Sequence, residues 1–107
     1  QMTGAKIDWS IPYTSPGVFN DRELTDLLIK ASNKSIGEDN TIILEESSMG
    51  GEDFAYYLTH IPGSYYRIGC FDGCSNDVHT SNFDVDEDCI STALTFLDEA
   101  VKIYFQK

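Results

Sequence analysis

Residues 84–105, DVDEDCISTALTFLDEAVKIYF, leave little choice of secondary structure. Ile90, Ala93, Leu94, Leu97, Val101 and Tyr104 recur at helical spacing, and the carboxylates that open the stretch suit the positive end of a helix dipole. A helix of this kind is stabilised mainly by burying its apolar stripe, so the rest of the chain has to provide a surface for it.

The preceding segments predict that surface to be a sheet. Lys6 to Tyr13 alternate, with Ile7, Trp9, Ile11 and Tyr13 on one face and Lys6, Asp8, Ser10 and Pro12 on the other, a strand pattern that Pro12 places at an edge. Asn20 with Glu23 reads as an N-cap and its reciprocal partner. A helix then carries Leu24, Leu27, Leu28 and Ala31 on one face and ends near Gly37, which can take a positive φ. Thr41 to Glu46 (TIILEE) is apolar and β-branched without alternation, the pattern of a strand covered on both faces. EDFAYYLTHI predicts a short helix stopped by Pro62 and Gly63, and SYYRIG a further strand. The order strand, helix, strand, short helix, strand, long helix predicts an α/β layered sheet.

Charge and cysteine usage narrow the function classes. In 107 residues, 18 acids against 7 bases give a formal charge of −11, which disfavours phosphate backbones and anionic membranes. No apolar run reaches the roughly twenty residues of a membrane span, and the first residues lack the pattern of a signal peptide. Three cysteines, an odd number, suit reduced thiols in a cytoplasmic setting.

Two loops that follow predicted strands are the candidate sites, because open α/β sheets bind ligands beyond the carboxyl ends of their strands. In SSMGGED, Gly50 and Gly51 permit close backbone approach to a ligand, while Glu52 and Asp53 either face that ligand or complement the dipole of the helix that follows. Residue types alone favour the second role. In GCFDGCSNDVHTSNFD, His79 is a possible metal ligand, although a lone loop histidine is usually a surface residue. A structural zinc site built from Cys70, Cys74, His79 and Cys89 is a further possibility with poor spacing. No Gly-x-Ser-x-Gly elbow, phosphate-binding loop or HExxH motif occurs.

Taken together and in this order, MGGEDFAYYLTHIPGSYYRIG and HTSNFDVDEDCISTALTFL resemble the C-terminal end of the zinc-dependent amidohydrolases and carboxypeptidases of metallopeptidase family twenty, the group of hippurate hydrolase, auxin-conjugate hydrolases and N-acyl-amino-acid amidohydrolases. The resemblance implies part of an α/β/α catalytic domain with about three helices and three to four strands. It makes residues 1–15 the last strand of a dimerisation domain with its hinge, and residues 16–107 the C-terminal part of the catalytic domain.

By the same resemblance, His79 is the last protein ligand of a two-metal site holding zinc, manganese or cobalt, and Gly50, Gly51, Glu52 and Asp53 line the substrate pocket. Here His79-Thr80-Ser81 is followed by Asn82 where the family usually has proline, which loosens the loop but keeps the histidine. The general base and the other metal ligands belong to a part of such enzymes that these residues do not contain. The implied activity is hydrolysis of N-acyl amino acids or small peptides by metal-activated water, in a homodimeric full-length protein. The 107 residues alone are expected to be inactive and prone to self-association. A non-catalytic binding module and the four-residue zinc site are the competing readings.

Overall fold

A computed structural model describes residues 4–12, 15–70, 73 and 78–106. In chain order it contains α1 (Arg22–Ser35), a single 3₁₀ turn (Glu38–Asn40), α2 (Phe54–Leu58) and α3 (Asp88–Phe105). No strand occurs among the described residues, so the layered α/β architecture expected from the sequence is not what is found.

The reason lies in what a strand requires. Alternating or β-branched residues favour extended backbone, but a strand exists only where a neighbour completes its hydrogen-bond ladder. Lys6 to Pro12 and Thr41 to Glu46 have no such ladder, and their apolar side chains face outward: Trp9 is 78% exposed and Ile42 80%. Tyr13, the last residue of the first expected strand, lies outside the described residues.

Helix α1 begins one residue later than expected. Asp21 is its N-cap, with Oδ1 accepting the Leu24 N–H at 2.9 Å, and Thr25 Oγ1 donates to the Asp21 carbonyl at 2.7 Å. Asn20 is used differently. Its Oδ1 accepts the Tyr65 N–H at 2.8 Å and its Nδ2 donates to the Tyr65 carbonyl at 3.1 Å. An amide can donate and accept at once, so it pairs with both backbone groups of one residue; an ionised carboxylate only accepts, which suits a helix start. At the other end Gly37 takes φ +93°, as the sequence predicts, and Asn40 Nδ2 donates to the Ile36 carbonyl at 2.7 Å.

Helix α3 starts at Asp88 rather than at Asp84. Asp86 Oδ1 accepts the Asp88 N–H at 2.9 Å, and Asp88 is the member of the acidic run that lies in the first turn, the others preceding the helix. Its packing face also differs from expectation. Phe96 and Ala100 are buried against Leu27 and Ala31 of α1, with Leu28 and Ile103 at the margin. Each pair is spaced four residues apart, so the two helices meet along matching rows, and the two alanines permit a close approach. The stripe read from the sequence points away from this contact: Leu94 is 63% exposed, and Ile90, Val101 and Tyr104 are similarly open. Helix α3 is apolar on more than one side, and periodicity does not say which side meets α1.

This core is small. Only Leu27, Ala31, Ala55, Phe96 and Ala100 are buried apolar residues among those described. The radius of gyration is 19.0 Å, against about 13 Å for a compact domain of this length. Lys34 Nζ meets Glu99 Oε1 at 2.6 Å across the α1–α3 pair, but the lysine is mostly exposed and such a bridge contributes only about 0–1 kcal/mol.

The segment Gly63 to Cys70 ties the helices together. The Gly63 carbonyl accepts the Asp21 N–H at 2.8 Å, and Ser64 Oγ lies 2.9 Å from Thr25 Oγ1. Tyr66 places its ring edge-on to Phe96 with centroids 4.8 Å apart. The Cys70 carbonyl accepts the Asp86 N–H at 3.1 Å. Gly63 lies close under α2: a Cβ there would come 2.8 Å from Leu58 Cδ2, so a larger residue would require the end of that side chain to move.

Partial burial raises the phenol pKa of Tyr66 above its ordinary value. The folded state therefore favours the neutral ring. That contribution is complete below the unfolded pKa near 10 and is lost as pH rises through the higher folded value. Tyr66→Phe is expected to remove a phenol ionisation above the ordinary value from a spectrophotometric titration of the native chain. Loss of a phenol that ionises at or below the ordinary value would contradict the assignment.

Candidate functional site

The candidate residues lie on two loops fixed by the Gly63 to Cys70 segment. The first, Ser47 to Asp53, leads into α2. Arg67 NH2 donates to Ser48 Oγ at 2.9 Å, and the Arg67 guanidinium stands 6.0 Å from the centre of the Tyr65 ring. Gly51 passes close to the chain at Ser15, where a Cβ would come 3.3 Å from the hydroxyl, whereas Gly50 faces open space. Glu52 Oε1 accepts the Phe54 N–H at 3.3 Å, so this carboxylate serves the start of α2. Asp53 is exposed and its side chain makes no cap bond.

The second loop joins Cys70 to Asp86, and the hydrogen bond between these two residues closes its neck. Of the residues between them, 73 and 78–85 are described. His79 lies within it, exposed, with φ +67°, the only positive φ of a non-glycine residue among those described. Histidine is among the residues that tolerate this left-handed conformation, which remains uncommon outside glycine. The Thr80 carbonyl accepts the Phe83 N–H at 3.2 Å, making a turn directly after it.

Among the described residues, no three His, Cys, Asp or Glu side chains stand close enough to share a metal ion. Cys70, His79 and Cys89 thus do not assemble the structural zinc site considered from their spacing, and Cys74 lies outside the described residues. Cys70 and Cys89 are free thiols, each half-buried. Two open depressions, of about 350 and 260 Å³, border α2 near Phe19 and Leu58 and are not lined by Gly50, Gly51, Glu52, Asp53 or His79.

Arg67 escaped the motif reading, yet it is conspicuous in the charge pattern. All of the acidic residues except Asp8, Asp21, Glu23 and Asp26 fall between Lys34 and Lys102, and Arg67 is the one Lys or Arg in that interval.

Residues 3–103 match the description of peptidase family M20/M25/M40, and the chain belongs to that family. It is 37% identical, over 109 residues, to a protein of Synechocystis sp. named as a probable hydrolase, an alignment covering 99% of this chain and 28% of that protein. To N-acetyl-L-cysteine deacetylase of Bacillus subtilis it is 41% identical over 87 residues, covering 81% of this chain and 20% of the relative. To thermostable carboxypeptidase 1 of Saccharolobus solfataricus it is 33% identical over 78 residues, covering 70% and 19% respectively. The chain thus spans between 19% and 28% of the length of these relatives. No solved structure was found to match it. Among the described residues no helix is long and apolar enough to cross a membrane.

Proposed function

We propose that these residues form one wall of the active site of an amidohydrolase or carboxypeptidase that cleaves the amide bond of N-acyl amino acids or small peptides. The observation that carries this reading is the family match over residues 3–103, which takes in both candidate loops. Two of the relatives, a deacetylase and a carboxypeptidase, carry names of amide-bond hydrolases, which supports the reading. In this reading residues 1–15 belong to a dimerisation domain and its hinge, and residues 16–107 to the catalytic domain of a homodimer.

Gly50 and Gly51 give a substrate access to the backbone, Glu52 and Asp53 line the pocket, and His79 contributes one metal ligand. The donors described here do not suffice to hold a metal by themselves, because no three of them converge. A site for two zinc, manganese or cobalt ions requires further carboxylate and imidazole ligands, together with a general base, from elsewhere in a longer protein. The chemistry supplied by such ions is a water acidified enough to attack an amide carbonyl.

The test compares the full-length protein with these 107 residues on hippurate, with and without a chelator. The full-length protein is expected to release glycine and to lose that activity on chelation, and the isolated chain to show none. Turnover by the isolated chain at the full-length rate would refute the division of the site, and chelator-resistant turnover would refute the metal.

A further inference from the structure

Helix α2 is too short to hold its own place. It has five residues, and an isolated helix of that length is unstable in water, so its orientation is set by what packs on it. Ala55 is fully buried beneath it, the Phe54 ring lies 5.7 Å from the Tyr65 ring, and Gly63 passes close under Leu58 and Phe54. The end of the glycine loop is bound to this helix. The Glu52 and Asp53 carbonyls accept the Ala55 and Tyr56 N–H groups at 3.1 and 3.0 Å, so Gly50 to Asp53 follow wherever α2 is set.

The Tyr65 ring is in turn only as fixed as its backbone, and no strand pairs with that backbone among the described residues. Asn20 does so instead. Its Oδ1 accepts the Tyr65 N–H at 2.8 Å and its Nδ2 donates to the Tyr65 carbonyl at 3.1 Å, so one side-chain amide takes the place of a neighbouring strand's peptide. The next residue repeats the anchorage, with the Asp21 N–H donating to the Gly63 carbonyl at 2.8 Å. Asn20 is exposed and has no part in the α1–α3 core. Replacing it opens no cavity, and what is lost is the direction of the Tyr65 ring.

We propose that Asn20 is a positioning residue for the substrate pocket: its amide fixes Tyr65, the Tyr65 ring sets Phe54, and Phe54 carries the Gly50 to Asp53 loop. The pocket role of that loop rests on the hydrolase reading above, whereas the link from Asn20 to the loop is mechanical and is measured without substrate. Only an amide serves at this position, because the clamp needs a donor and an acceptor on one short side chain.

The test follows hydrogen exchange by mass spectrometry and steady-state hydrolysis of hippurate in the full-length protein. Asn20→Asp keeps the size and the acceptor but sets a carboxylate against the Tyr65 carbonyl, and Asn20→Ala removes both bonds. In each, residues 47–58 are expected to exchange about tenfold faster while α3 is unchanged, as the loss of one or two net hydrogen bonds implies. KM for hippurate is expected to rise about 3–10-fold, with kcat and bound metal little altered. Asp21→Asn, which exchanges one good helix cap for another, should change neither. Tyr65→Leu is expected to loosen the same residues, and Asn20→Ala added to it to have little further effect, since the two act along one path.

Native exchange of residues 47–58 in Asn20→Ala would overturn the proposal, as would an unchanged KM in a protein whose loop had loosened. Faster exchange in α3 to the same degree would show that Asn20 serves the fold at large. A matching effect in Asp21→Asn would assign it to the α1 cap, and additive effects of Asn20→Ala and Tyr65→Leu would break the path; each of these also overturns the proposal. Native protein that does not hydrolyse hippurate, yet loosens selectively at 47–58 without Asn20, would sink the hydrolase reading and leave the link standing.

Discussion

Phe96→Ala is expected to destabilise the chain by about 3–5 kcal/mol, enough to abolish a cooperative transition in a protein with so few buried side chains. The ring is 6% exposed and lies between α1 and the Tyr66 ring, so its removal opens a cavity and also deletes an edge-to-face pair worth about 0.5–1.5 kcal/mol. Leu94→Ala, on the exposed side of the same helix, is expected to change stability by less than about 0.5 kcal/mol. The two sites share one helix and similar helix propensity, so the contrast isolates the packing term. Urea unfolding of the isolated chain, followed by circular dichroism, checks it. Equal effects of the two substitutions would mean that the α1–α3 contact is not the centre of the fold.

The second large effect concerns His79 in the full-length protein. On the proposed function, His79→Ala removes a metal ligand, and hydrolysis is expected to fall by more than the roughly 10–100-fold that losing a ligand's supporting partner costs. Alanine also disturbs the backbone, because φ at this position is +67°. His79→Asn separates the two causes, since asparagine adopts the left-handed conformation readily but does not replace an imidazole on a metal. Both variants are expected to lose activity together with bound metal, as metal analysis of the purified proteins would show. An asparagine variant that keeps full activity would assign His79 a conformational role and withdraw it from the metal site.

The helices were legible because their determinants are local. The spacing of Leu24, Leu27, Leu28 and Ala31, the stop at Gly37 and the acidic lead into α3 each depend on residues within one or two turns. Even so, the cap of α1 was misplaced by one residue. Asn20 and Asp21 are both good caps, and the choice between them was made by Tyr65, 45 positions away, whose two backbone groups take the amide. The strands failed for a related reason. Ile42, Ile43 and Leu44 have the right side chains, but a ladder depends on a neighbouring backbone that no local pattern contains.

For the site, the sequence alone located two loops and the residues in them that can do chemistry: the glycine pair, two adjacent carboxylates and one histidine. It also contained, unread, the isolation of Arg67 among acids. Only the tertiary structure decided that the Cys70 carbonyl meets the Asp86 N–H, that Arg67 rests on Ser48 and, among the described residues, not on a carboxylate, and that α3 turns Phe96 and Ala100 rather than Leu94 toward α1. The physical division is one of range. Backbone preference and helix periodicity are written in neighbouring residues, whereas partner choice among equally suitable groups is settled by which distant segment arrives to satisfy them.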